Sequence, residues 1–108
     1  MQHIIIEIIK IENSTKRISK EEFKKNLDLQ DATIRRIEII GEAVKNLPPE
    51  FIKRHPKIEW AKIAGTRDKL IHHYFGVDLD LTWEIIKKDI HPLKDKIEEI
   101  LEEAPHNQ

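Results

Sequence analysis

The chain has no cysteine, so it can form neither a disulfide nor a thiolate metal site. Glycine is scarce, at three residues of 108, and proline numbers five, so breakers are few and no low-complexity linker divides the chain. Neither sign of charge dominates. There are 19 Lys and Arg against 20 Asp and Glu, a net charge of −1, which excludes a global attraction to nucleic acid. Any RNA or DNA contact must then come from a local cluster or a composite surface. No uncharged run approaches the roughly 20 residues that span a bilayer, so no membrane partner is expected. The stretch "HIIIEIIKI" is apolar, but Glu7 and Lys10 interrupt it and no small-residue cleavage site follows. It does not read as a signal peptide, and a cytoplasmic protein is expected.

What remains is a charged, isoleucine-rich chain. Charged residues make up 36% and hydrophobic ones 39%, which fits a highly soluble helical protein. The length predicts one domain over residues 1–108. The abundance of Ile, Lys and Glu leans toward a thermophilic or AT-rich source.

The pattern is mostly helical. Residues 3–13 fit a helical face through Ile5, Ile8 and Ile9, and also a strand through Ile4, Ile6 and Ile8. No second strand-like run exists to pair with, so a helix is expected. Ser19-Lys20-Glu21-Glu22 is a capping-box pattern that should start a short helix through Lys25. A second helix is expected from about Asp31 to Leu47, with Ile34, Ile37, Ile40, Gly41, Val44 and Leu47 on one apolar face. Ala32, Ile39 and Ala43 lie opposite, which predicts burial on two sides. Pro48-Pro49 ends it, and "PPEFIKRHP" reads as a short helical turn. A third helix is expected from about Ile58 to Tyr74, stopped by Gly76. The last runs from about Asp80 to Glu103 on a seam of Trp83, Ile86, Ile90, Leu93, Ile97, Ile100 and Ala104, kinked or restarted at Pro92. Together these predict an all-α, up-and-down bundle of about four main helices plus short helical turns.

The third helix carries the unusual chemistry, in "TRDKLIHHYFG". On a helical wheel Trp60, Ile63, Ala64, Leu70, Ile71 and Tyr74 make one stripe, with Arg67 in its middle. A buried charge is expensive unless paired or used. Arg67 is therefore either a structural arginine bonded to a carboxylate such as Glu42 or to a helix end, or an anion-binding group. The adjacent sector carries Ala61, Gly65, Asp68 and His72. Asp68 and His72, four residues apart, are either an ordinary exposed pair or a carboxylate that fixes an imidazole tautomer. His73 points about 100° from His72, so the two do not share a ligand, and no HExxH or carboxylate cluster supports a metal. No cofactor is expected. His3, His55, His91 and His106 read as scattered surface residues. Arginine for a phosphate and histidine for proton transfer near neutral pH suggest a phosphate site.

Arg67, His72 and Tyr74 form R-x4-H-x-Y, which resembles the signature of the HEPN superfamily, specifically the HepT-like toxins of HepT/MntA toxin–antitoxin pairs. "QDATIRRIEIIGEAVKNLP", with its Gly41-Glu42 pair, resembles the family's second helix. "HPKIEWAKIAGTRDKLIHHYFGVD" resembles its central segment, and "WEIIKKDIHPLKDKIEEIL" its last helix. The resemblance covers roughly residues 20–101. It implies an all-α HEPN fold, a homodimer and metal-independent RNA cleavage by Arg67 and His72. It further implies that Tyr74 accepts AMP from a partner nucleotidyltransferase antitoxin of the MntA kind. Where related proteins commonly carry asparagine after the arginine, this chain has Asp68. That charge could weaken RNA binding or raise the basicity of His72 in a supporting role. Two rival expectations follow: a non-catalytic nucleotide-binding or partner-binding subunit, and a scaffold for the nucleotidyltransferase with a vestigial motif.

Overall fold

In the computed structural model the described residues are 2–72 and 79–103, without the side chains of Gln2, Arg67, Ile71, His72 and Glu103. Among them there are helices and no strands. In chain order they are α1 (Gln2–Thr15), α2 (Lys20–Lys25), α3 (Leu27–Lys45), α4 (Pro49–Arg54), α5 (Trp60–His72), α6 (Leu79–Glu84), a π-helical turn (Ile85–Ile90) and α7 (His91–Glu103). The expected all-α bundle is what the chain forms.

The isoleucine-rich start is a helix, as expected, but with a different inner face. Ile4, Ile5, Ile8 and Ile11 are buried, while Ile6 and Ile9 face outward. The buried residues step by three and four and continue to Thr15, whose hydroxyl donates to the Ile11 carbonyl at 2.7 Å. Ile9 falls off that line, so its expected place on the inner face is corrected.

Ser19 caps α2 as the sequence predicts. The Glu22 amide donates to its hydroxyl, and the Ser19 amide donates to the Glu22 carboxylate. α3 begins at Leu27, four residues earlier than expected, because the Asn26 side chain accepts from the Leu29 amide at 3.0 Å. Buried Gln30 then donates to the Phe23 carbonyl at 2.9 Å, closing the end of α2 onto α3.

α3 is the hub. It packs against α1 and α5, and α2 lies across it. Ile37, Ile40 and Val44 are buried in one cluster with the inner faces of α1, α5 and α7. Ile34, Ala43 and Leu47 pack partly buried at its edge. Thr33 is fully buried, and its hydroxyl has no hydrogen-bond partner among the described residues.

The last helical stretch departs from a simple kink. Pro92 has no N–H, and its ring crowds the carbonyl four residues before it. The chain answers upstream. Residues 85–90 adopt the wider π-helical turn, and the His91 amide reaches back to the Ile86 carbonyl. Pro92 then sits in the first turn of α7, where its missing N–H is no loss. Ile85, Ile86, Ile90, Leu93, Ile97 and Ile100 are buried, with Trp83 half-buried against Phe23 at 5.4 Å. The predicted seam therefore holds with Ile85 added, and it faces the core through α1. Its last expected member, Ala104, lies outside the described residues.

Exposed ion pairs fasten the outside. Lys20 and Lys24 reach Asp80 at 2.8 and 3.2 Å, tying α2 to α6. Those hydrogen bonds, Lys20's first, hold the Asp80 carboxyl below the usual range. Glu12 of α1 receives His91 at 2.7 Å and Lys94 at 3.0 Å. Burial pushes Glu12 up, but the bonds from Lys94 and His91 outweigh it and leave the carboxyl lowered.

The molecule measures 45 × 28 × 18 Å. α5 keeps an outward face, at Ala61, Lys62, Asp68 and Lys69.

Candidate active site on the fifth helix

α5 is anchored at its start. The Trp60 indole N–H donates to the His55 carbonyl at 2.9 Å, and its ring meets Phe51 edge-on at 5.9 Å. His55 is half-buried and its ring meets Phe51 at a tilt, centroids 4.7 Å apart, so it is more than the plain surface residue expected. The helix starts at Trp60, two residues later than predicted. Its predicted end at Tyr74 and the stop at Gly76 lie outside the described residues.

The inner face is Trp60, Ile63, Thr66 and Leu70, all buried, with Ala64 half-buried beside it. Thr66 is the residue that a hydrophobic pattern misses. It is fully buried, and its hydroxyl donates to the Ile63 carbonyl at 2.7 Å. A threonine that bonds back along its own helix behaves as an apolar residue, which leaves no mark in the sequence.

The helical backbone carries both Arg67 and His72. Five residues of a regular helix set these positions about 140° apart, whereas positions 68 and 72 share a side. The side chains of Arg67 and His72 lie outside the described residues, as do His73 and Tyr74 entirely. The Arg67–Glu42 and Asp68–His72 pairings expected from the sequence fall there too.

What surrounds those positions is described. Asp68 is exposed, and Lys45, at the end of α3, approaches its carboxylate at 4.0 Å. A pair that long between exposed groups contributes little stability. It does place a cation beside the Asp68 charge. No pattern in the sequence links residue 45 to residue 68, so Lys45 was not foreseeable. On the same side Ala61 is exposed and Gly65 half-buried. A Cβ added at Gly65 would meet nothing within 4 Å. Among the described residues the small-residue sector is therefore open and is not used up by packing.

Lys62 fixes the neighbouring flank. It reaches Asp89 of the π turn at 3.2 Å and Glu59 at 3.8 Å. The hydrogen bond to Asp89 raises the Lys62 ammonium above its ordinary value, so it stays charged. Among the described residues no three His, Cys, Asp or Glu side chains gather to hold a metal ion. Nor is any helix among them long and apolar enough to cross a membrane.

The model of the HepT-like family, described as ribonuclease HepT-like, matches residues 4–100. The chain belongs to the HepT-like ribonuclease family. The match starts in α1, so it includes the N-terminal helix that the resemblance from about residue 20 leaves out. A Methanocaldococcus jannaschii protein named "Gamma-glutamylcyclotransferase and putative RNase" is 52% identical over 108 residues, 100% of this chain and 49% of its own length. The chain thus spans about half the length of that relative. A Caldanaerobacter subterraneus protein named "Putative RNase" is 49% identical over 94% of this chain and 91% of its own. A Thermococcus cleftensis protein named "Probable ribonuclease HepT" is 49% identical over 83% of this chain and 82% of its own. No solved structure matches the chain. For this HepT-like chain, α5 carries Arg67 and His72 of the R-x4-H-x-Y spacing, and Tyr74 lies outside the described residues.

Proposed function

We propose that this HepT-like chain is the toxin of a HepT/MntA-type toxin–antitoxin pair and a metal-independent endoribonuclease. The observation that carries the reading is the family match across residues 4–100, which includes α5 with Arg67 and His72. In the proposed reaction His72 takes the proton from a ribose 2′-hydroxyl. The freed oxygen attacks the adjacent phosphorus in line, and Arg67 stabilises the charge that builds on the phosphoryl oxygens. The bond to the 5′-oxygen breaks, leaving a 2′,3′-cyclic phosphate and, once that oxygen is protonated, a 5′-hydroxyl.

One helix offers no second acid for the leaving oxygen. A two-fold homodimer supplies it as the second copy's histidine, and doubles the arginines in one cleft. The open sector at Ala61 and Gly65 supports this placement of the dimer face. In the same reading Tyr74 accepts AMP from the nucleotidyltransferase antitoxin, and the bulky anion repels RNA.

A second reading, a nucleotide-binding or partner-binding subunit without catalysis, is favoured by Asp68. Its exposed carboxylate adds negative charge where a phosphate must sit, and Lys45, at 4.0 Å, is the cation among the described residues that offsets it. RNA incubated with the wild type, His72→Ala and Arg67→Ala in EDTA separates the two. The ribonuclease reading expects cleavage by the wild type alone. Nucleotide binding with no cleavage by any of the three would support the binding subunit.

A further inference from the structure

We infer that the seam between the α4–α5 turn and α7 is a second RNA contact, a phosphate track that feeds the strand toward α5. The inference rests on the ribonuclease reading. Arg54, Lys57 and Lys96 line a groove there, floored by the buried Ile58 and Ile100, with Glu99 as its one acid. Ion pairing separates these cations from half of the chain's 14 lysines. Lys10, Lys20, Lys24, Lys45, Lys62, Lys88 and Lys94 each have a carboxylate within 4.0 Å. Among the described residues Arg54, Lys57 and Lys96 have none. Lys96 instead donates to the Lys57 carbonyl at 3.4 Å, which brings two of the cations to one edge.

The groove also has a direction. Ile58 and Lys96 line the next depression along the seam too, together with Lys62 and Lys88 and with the acids Glu59 and Asp89, both of which Lys62 pairs. On α5, Lys62 and Lys69 are both exposed and seven residues apart. A regular helix keeps such positions on nearly one flank, about 10 Å apart along the axis. Lys69 lies three residues before His72, in the same helical neighbourhood. A strand seated on the three unpaired cations therefore runs along one flank of α5 to the turn that carries the proposed general base. Local surplus charge of this kind is what a protein of net charge −1 needs to hold a polyanion.

The test uses the full chain and a short fluorescent RNA whose 2′-hydroxyls are methylated, so that it binds without being cleaved. Arg54→Gln, Lys57→Gln and Lys96→Gln are combined, and a control combines Lys16→Gln, Arg17→Gln and Lys25→Gln. Both remove three exposed positive charges. The track predicts at least tenfold weaker binding near 0.15 M salt for the first variant only. It also predicts a salt slope smaller by roughly two, since each single-strand phosphate contact contributes about 0.7. Equal affinity of the first variant and the wild type overturns the inference, as does equal weakening by the control. Unchanged RNA binding with lost binding of polyglutamate would assign the groove to an acidic protein segment and also overturn it. A wild type that neither binds nor cleaves RNA fails before any substitution, and that outcome refutes the ribonuclease reading itself.

Discussion

Replacing Gly65 with alanine tests the dimer face, because it should act in opposite directions on one chain and on two. Glycine inside a helix is about 0.8–1.0 kcal/mol less favourable than alanine. Gly65 lies within α5, and among the described residues a Cβ there meets nothing within 4 Å beyond its own stretch of helix. The isolated chain should therefore gain nearly the whole difference, and its melting temperature should rise by about 4–8 °C per kcal/mol. In a two-fold interface the same Cβ enters twice. Overpacking a close contact costs about 1–3 kcal/mol at each place, so the dimer should lose at least about 2 kcal/mol. Tenfold in dissociation constant corresponds to about 1.4 kcal/mol, so the constant should rise roughly 30-fold or more. Sedimentation over a dilution series reads the dimer, and thermal melts below the dissociation concentration read the monomer. Cleavage should fall in step with the dimer. An unchanged dimer mass in both Gly65→Ala and the bulkier Gly65→Glu would refute the placement of the interface. A lower melting temperature in the monomer would refute the openness of that face.

Other substitutions probe the fold and the chemistry. Thr33→Val should stabilise the protein by about 1 kcal/mol in urea unfolding, because it removes a buried hydroxyl that has no partner among the described residues; a loss of that size would mean the hydroxyl is satisfied. The Glu12 carboxyl is lowered in the folded protein, so its contribution is present above its unfolded value of 4.5 and is lost as pH falls through the folded one. Glu12→Gln should therefore unfold at lower urea than the wild type at neutral pH, with the gap closing below pH 4.5. A gap that stays constant down to strongly acid pH would count against that linkage. Asp68→Asn should tighten RNA binding and weaken its dependence on Lys45. If Asp68 instead raises the basicity of His72, the same change should slow cleavage at neutral pH and move its pH profile.

Much of the fold is legible in the sequence where a local rule had no competitor. The Ser19–Glu22 capping box is a complete signal, and α2 starts where it says. Pro48-Pro49 marks a helix boundary with the same economy. The face of α1 is another matter. With isoleucine at positions 4, 5, 6, 8, 9 and 11, more than one face is apolar enough to bury. The choice is made by α3 and α7, which take the line through Ile4, Ile8 and Ile11. Pro92 announces a defect but not its position, because the π turn relieves the clash upstream of the residue that causes it. Asn26 signals the early start of α3, yet it sits among polar residues where any of several could cap. The candidate site is legible as residue types and spacing: Arg67, His72 and Tyr74 carry the resemblance, and the family match covers them. Its surroundings are not legible. Lys45 meets Asp68 across 23 positions of sequence, and Thr66 is buried by a bond to its own helix.

The central claim, that Arg67 and His72 cleave RNA without a metal, is tested most directly by the ends the reaction leaves. RNA digested in EDTA by the purified protein is analysed by mass spectrometry beside His72→Ala and Arg67→Ala. The account predicts 2′,3′-cyclic phosphate and 5′-hydroxyl ends from the wild type and intact RNA from both variants. Cleavage that stops in EDTA, or that continues unchanged in His72→Ala, would contradict it.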